Sequence, residues 1–332
     1  MTHTPIELLA ENPPANRPII ALSEGEDSRV LAGGMAAQEA GLADVILVGR
    51  ASEINAAGTT VHDPATSDLT EGFAQAFYEL RKHKGVDEVK ARAAVETPLV
   101  YAAMLVRQGH AQGTVGGAVH TTADVVRTAL QVIGMAPGNK MVSSCMLMYP
   151  PANAGPEQRA MVFADCGLAI DPGPDALAEI AAASAASCSA LLNEEPRLAM
   201  LSFSTMGSGR HALVDKTKEA LGHLRANHPD LIADGELQFD AAFTASVGQT
   251  KAPGSDVAGQ ANVMIFPGLE AGNIGYKVAQ RLGGYAAIGP VLQGLARPAN
   301  DLSRGCSAED VTQMIAVTAL QGVTQIETGS AP

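Results

Sequence analysis

Between residues 289 and 310 the chain concentrates side chains able to do chemistry: Arg297, Ser303, Arg304, Cys306, Glu309 and Asp310, spaced by Gly and Pro. Carboxylates can accept a proton, guanidinium groups can hold an anion, and a polar loop carrying both into a helix has the parts of a catalytic site. Each member also has a purely structural use. Ser307 and Asp310 stand at capping-box spacing, with Asp310 reaching back to the Ser307 amide. Cys306 fits apolar packing, and Ser303 and Arg304 fit ordinary loop hydrogen bonding. Singly these uses suffice; together the residues favour a function.

A second stretch, Gly116 to Arg127, is a small-residue strand end running into a helix. Thr122 is the expected N-cap, leaving free backbone donors and two hydroxyls where an anion could sit, so His120, Thr121 and Thr122 become candidate substrate-binding residues. Arg127, one turn in, could reach such an anion bidentately. A capped helix with Asp124 favouring its dipole and a solvated Arg127 explains the same residues. The third stretch, Ser202 to Arg210, has phosphate-cradle glycines but lacks the Lys-Ser/Thr pair of a Walker loop and contains no GxGxxG. A plain strand-to-helix connection is the simpler reading there.

The elements that must position these groups alternate in kind. Apolar runs at 17–22 and 44–49 read as strands around a helical segment at 28–41, a βαβ opening. Helices are expected at 68–82 and 98–108, and a strand at 113–119. Further strands are expected at 141–149, 159–164, 197–203, 262–266 and 285–292. Helices at 175–192, 213–226, 269–282 and 307–321 complete the pattern. This alternation with short connections predicts α/β architecture with parallel sheets, ligands binding at the carboxyl ends of strands, and a domain boundary near residue 139. Whether the last helix rejoins the first domain is not legible from periodicity.

Composition narrows the function class. With 332 residues and 46% hydrophobic content, two domains with real cores are expected. Lys and Arg number 22 against 35 Asp and Glu, a net charge of −13, the wrong sign for a general nucleic-acid binder. A phosphate-bearing ligand must therefore meet a local basic pocket. No apolar run approaching about 20 residues is evident and no signal-peptide core follows Met1, so membrane insertion is not expected and a cytoplasmic location is. Cys145, Cys166, Cys188 and Cys306 form no CxxC pair, which argues against a zinc site or a disulfide framework.

Tyr78-Glu-Leu-Arg81, Val119-His-Thr-Thr-Ala-Asp-Val-Val-Arg127, Phe163-Ala-Asp165-Cys, Ser202-Phe-Ser-Thr and Asn300-Asp-Leu-Ser-Arg-Gly-Cys-Ser-Ala-Glu-Asp310 run in the same order as in the phosphate acetyltransferases, and the chain resembles their short form over nearly its whole length. The resemblance implies reversible acetyl transfer between CoA and inorganic phosphate, with CoA as substrate and no cofactor or metal required. It implies two αβα-sandwich domains with a cleft between them, similar to isocitrate and isopropylmalate dehydrogenases. The domains would be residues 1–138 plus 293–332, and 139–292, the second carrying a homodimer interface. It makes Asp310 the base for the CoA thiol, Arg304 and Ser303 stabilisers of the charge that develops, and Arg81 and Arg127 phosphate-binding cations. For Arg81 a cation at a helix C-terminus near Gly85 is an equally good account. Relatives carry Lys where Met206 stands, a departure that bears on CoA affinity. Cys306 is read as neighbouring, not nucleophilic. The alternatives are a phosphate butyryltransferase-like enzyme, a noncatalytic acetyl-CoA-sensing module, and, from fold alone, a metal- and NAD-dependent dehydrogenase whose clustered carboxylates are not evident.

Overall fold

Apolar runs that begin or end at Gly, Pro or Asp become buried strands because a sheet covered on both faces needs no polar alternation. The structure, a computed structural model, describes residues 3–56 and 58–327. The chain divides into two compact units, one of Pro5–Gly138 with the segment from Leu295 onward, the other of Asn139–Gly294 with the residues up to Thr4.

The first unit opens with β1 (Ile19–Leu22), β2 (Asp44–Val48), β3 (Thr60–His62) and β4 (Gly113–Gly116). The other contains β5 (Ser143–Tyr149), β6 (Met161–Ala164), β7 (Arg197–Leu201), β8 (Ile232–Leu237), β9 (Val263–Ile265) and β10 (Ala286–Gln293). The chain then returns to the first sheet as β11 (Ala299–Asp301), followed by helix Ala308–Glu327.

The first sheet has the order β11-β4-β1-β2-β3, parallel throughout. Helix Ser28–Glu39 starts at Asp27, whose carboxylate caps it by accepting from the Arg29 amide at 2.9 Å. Gly33 in that helix lets the C-terminal helix approach closely. A Cβ there would lie 2.5 Å from the Ala308 carbonyl and 2.6 Å from Val311. The helix that carries Asp310 is thereby seated against the first βαβ unit.

The second sheet has the order β10-β5-β6-β9-β7-β8. The expected parallel arrangement holds for β6, β9, β7 and β8. The β10–β5 and β5–β6 pairs are antiparallel, a direction that apolar runs alone do not encode. Helix Pro174–Leu192, at 19 residues, is long and apolar enough to cross a membrane, contrary to the expectation from sequence. Its apolar character has another cause: Leu177, Ile180, Ala181, Cys188 and Leu191 are buried in the unit's own core.

The α/β class read from the alternation is what the chain adopts. The unforeseen pieces are short: β3, β8 and β11, and helices Pro5–Glu11, Glu88–Val95, Phe239–Phe243 and Ala245–Lys251. Strand β11 hides in the polar stretch because its central Asn300 is buried yet satisfied, donating to Thr318 Oγ1 at 2.9 Å and Gln321 Oε1 at 2.7 Å.

Candidate active site

Three adjacent strands, β11, β4 and β1, end at the same edge of the first sheet, and the loops leaving them interlock. The Leu302 amide donates to the Gly116 carbonyl at 2.7 Å, and the Ser23 amide to Val115 at 3.1 Å. Gly117 has φ 104°, and a Cβ there would stand 2.2 Å from Asp301 Oδ1. Only glycine lets the loop after β4 pass over β11 in this way.

Glu24, just past β1, is 5% exposed and acts as the tie for that loop. One oxygen accepts from the Ala118 amide at 2.7 Å. The other accepts from the Val119 and His120 amides at 3.0 and 2.8 Å and lies 2.7 Å from His120 Nδ1. Arg29 provides a second tie. Its guanidinium forks onto the Asp27 carboxylate at 3.0 and 2.8 Å and also donates to the carbonyls of Ala118 at 2.9 Å, Arg304 at 2.8 Å and Cys306 at 3.2 Å. The ion pair holds the Asp27 carboxyl below its ordinary range. One planar cation thus joins the loop after β4 to the loop after β11.

The loop after β11 presents Ser303 and Arg304 to solvent. Ser303 Oγ accepts from the Gly305 amide at 3.2 Å, and the Arg304 side chain has no partner among the described residues. The expected capping box is formed. Asp310 Oδ2 accepts from the Ser307 amide at 2.8 Å and from its hydroxyl at 2.9 Å, and the Asp310 amide donates back to Ser307 Oγ at 3.2 Å. Asp310 Oδ1 has no hydrogen bond among the described residues.

The cap of the helix after β4 differs from expectation. Thr121, not Thr122, is the N-cap of Thr122–Thr128: its hydroxyl accepts from the Asp124 amide at 3.2 Å and donates to Asp124 Oδ2 at 2.7 Å. Thr122 opens the helix, and its hydroxyl donates to Asp301 Oδ2 at 2.6 Å. Both hydroxyls are thus engaged within the protein. Arg127 is exposed and pairs with Asp124 at 2.8 Å. Arg81 closes helix Thr70–Arg81, partly exposed, with no hydrogen bond or ion pair to the other candidates among the described residues.

Sequence reasoning assigned no role to Glu24, Arg29 or Asp301. Asp301 is 1% exposed, and its Oδ1 is buried without a partner. Burial, reinforced by the nearby Glu24 charge and opposed by the Thr122 hydrogen bond, raises its carboxyl to about 6. Cys306 is buried beside Arg29, and burial pushes its thiol up. The other three cysteines are free and buried, Cys145 and Cys188 being raised to about 12 by burial. No group of three or more potential metal ligands occurs among the described residues.

The arrangement can hold an anion at an exposed arginine, take a proton at a carboxylate oxygen and move one at an imidazole. Comparison with known proteins is specific. The family model described as phosphate acetyl/butaryl transferase matches residues 6–319. The chain is 46% identical to the phosphate acetyltransferase of Clostridium acetobutylicum, over 95% of this chain and 98% of that one. It is 50% identical to that of Paracoccus denitrificans, over 91% and 94%. A phosphotransacetylase structure from Streptococcus pyogenes superposes with a TM-score of 0.90 at 41% identity, over 96% of this chain and 98% of that one.

Proposed function

This chain belongs to the phosphate acetyl/butaryl transferase family and catalyses reversible acetyl transfer between CoA and inorganic phosphate; we propose that it does so by direct thiolate attack, with Asp310 as base. Both substrates would be bound together and no acyl-enzyme formed. A thiol with a pKa near 8.5 is only a few per cent ionised at neutral pH, so a base has work to do. The observation that supports Asp310 is the division of labour between its oxygens: Oδ2 makes the cap and Oδ1 is left available. Attack on the carbonyl of acetyl phosphate builds negative charge on the carbonyl oxygen and the departing phosphate. Arg304, exposed and unpaired beside Ser303, is suited to meet it as a preorganised donor.

Arg127 and Arg81 are proposed to hold substrate phosphates. The exposed Arg127–Asp124 pair is weak enough for a phosphate to displace. With general base and arginines supplying the catalysis, neither metal nor nicotinamide is required. A homodimer is proposed on the Asn139–Gly294 unit, supported by the exposed apolar stripe Ile274, Val278 and Leu282 along helix Leu269–Arg281 and its end. A cytoplasmic location is proposed, where CoA and phosphate would be at hand.

The test separates catalysis from capping, since both need the same carboxylate. Asp310→Asn can still accept from the Ser307 amide but cannot take a thiol proton. It is expected to fold and to lose at least about 10²-fold in kcat, assayed as CoA-dependent acetyl-CoA formation in the presence of chelator. Ser307→Ala is expected to lose about 0.5–2 kcal/mol of stability and stay active. Near-native turnover in Asp310→Asn would make Asp310 a cap alone.

A further inference from the structure

The reaction moves a proton at each end: one leaves the CoA thiol, and one is needed at the departing phosphate oxygen. Acetyl phosphate dianion and CoA thiol give acetyl-CoA and hydrogen phosphate dianion. The S–H bond breaks, the new S–C bond forms, and the C–O bond to the phosphate breaks with its electron pair left on the oxygen. If that oxygen leaves unprotonated, the product is the phosphate trianion, a poor leaving group, so a second group should deliver a proton as the C–O bond opens.

We propose that His120, aimed by Glu24, is that group: it gives its Nε2 proton to the departing phosphate oxygen and, in the opposite direction, takes the proton from attacking phosphate. This deepens the reading of Asp310 as the thiol base and rests on it for the other proton. After transfer, His120 is neutral and Asp310 protonated, and exchange of one proton through solvent restores both.

Four hydrogen bonds carry the assignment. The Glu24 carboxylate already secures the loop through the amides of Ala118, Val119 and His120. Its fourth contact, 2.7 Å to His120 Nδ1, adds little to that anchoring and a great deal to the ring. With both oxygens occupied as acceptors, the geometry calls for a proton on Nδ1, which fixes the ring orientation and leaves Nε2 as the working nitrogen. Nε2 has no partner among the described residues. The side-chain exposures, 36% for His120 against 4% for Glu24, describe a ring at the surface backed by a buried carboxylate. Such a carboxylate behind an imidazole orients it and stabilises its charged form during proton transfer.

Location supports the role. The loop bearing His120 is bridged to the backbone of Arg304 by the single Arg29 guanidinium, so the imidazole and the anion-stabilising arginine flank one sheet edge. The charged or titratable groups around Glu24 and this loop are the Arg29–Asp27 pair, Asp301 and Cys306, the Asp124–Arg127 pair held to Thr121, and Arg304 across the Arg29 bridge.

The experiment is the pH dependence of kcat and KM for acetyl phosphate and CoA, measured on the full-length enzyme and its variants. His120→Asn keeps an amide N–H near the Nδ1 position for Glu24 and removes Nε2. It is expected to lower kcat by about 10²-fold with little change in KM, and to abolish the alkaline limb, where activity falls as the acid loses its proton. Imidazole in the buffer should restore part of the activity of His120→Ala. Glu24→Gln should shift the alkaline limb instead of removing it. Asp310→Asn should lose the acid limb and keep the alkaline one. Turnover of His120→Asn within about threefold of wild type overturns the proposal, as does a lower turnover with the alkaline limb intact and no imidazole rescue. An unaffected Asp310→Asn together with a lost alkaline limb in the His120 variants would instead sink the Asp310 reading and leave His120 standing.

Discussion

Asp301→Asn should make this protein more stable at neutral pH, a result that loss of a hydrogen-bonded buried residue would not ordinarily give. The Asp301 carboxyl is raised from an ordinary 3.8 to about 6 because it is buried at the end of β11 near the Glu24 charge, an effect the Thr122 hydrogen bond only partly offsets. A carboxyl raised on folding favours the neutral form in the native state. Its ionisation therefore costs stability above the folded value and costs nothing below the unfolded one. From 3.8 to about 6, at roughly 1.4 kcal/mol per pH unit, the cost reaches about 3 kcal/mol at pH 7–8. It falls to about half of that by pH 5. In Asp301→Asn the amide oxygen can accept the Thr122 hydroxyl, now held at 2.6 Å, and the NH₂ takes the place of the unpartnered oxygen facing Gly117. An unpaired amide there returns about 1 kcal/mol of the gain, leaving a net stabilisation of about 1–2 kcal/mol at pH 8. Urea unfolding of wild type and variant between pH 5 and pH 8 measures it. The advantage of the variant should shrink steadily as the pH falls. A variant less stable at pH 8, or a difference that does not move with pH, would show that Asp301 is not an ionised, poorly compensated carboxylate in the fold.

Two further outcomes follow from the same loops. Arg29→Met keeps the aliphatic stem but removes the donors that join Asp27, Ala118, Arg304 and Cys306; steady-state kinetics should show kcat/KM for acetyl phosphate down by about 10²-fold, the scale of a 1 Å misplacement, and Arg29→Lys should not restore it because an ammonium cannot fork across three carbonyls and a carboxylate. Unchanged kinetics in Arg29→Met would mean that the loops hold their places without it. Cys306→Ala should keep substantial activity, because burial disfavours a Cys306 thiolate and CoA supplies the nucleophilic sulfur; a kinetically competent acetyl-Cys306 detected by mass spectrometry would refute direct transfer.

What could be read beforehand was local. The Ser307/Asp310 capping box needs only a three-residue spacing, and it forms as read. The N-cap after β4 lies one residue before the expected Thr122, and the same rule accounts for it: Thr121 stands three before Asp124, and that carboxylate selects Thr121 and leaves the Thr122 hydroxyl for Asp301. Glu24 and Arg29 carry no such local mark. Apart from the local Asp27–Arg29 pair, the loop partners of Glu24 lie 94–96 residues away and those of Arg29 lie 89–277 away, so no spacing rule reaches them. The clue available was an acidic residue two positions after a fully apolar strand, a position that a parallel sheet buries and that then requires donors.

The strand order explains why these distant residues meet. Placing β11 beside β4 and β4 beside β1 brings the ends of the chain's first, fourth and last strands to one edge, each followed by a loop bearing a carboxylate, an imidazole or an arginine. Two of the carboxylates are buried there, and their environments differ. Glu24 receives three backbone amides and an imidazole, a full set of partners that fixes a loop and a ring. Asp301 receives the Thr122 hydroxyl on one oxygen and leaves the other orphaned against Gly117. Paired groups at a sheet edge build rigid geometry, and an unpaired one carries a standing cost in stability. The stability measurement on Asp301 and the kinetic measurements on His120 and Glu24 therefore probe opposite halves of one arrangement: the first reads the energetic penalty of the edge, and the second reads the positional accuracy that the edge maintains.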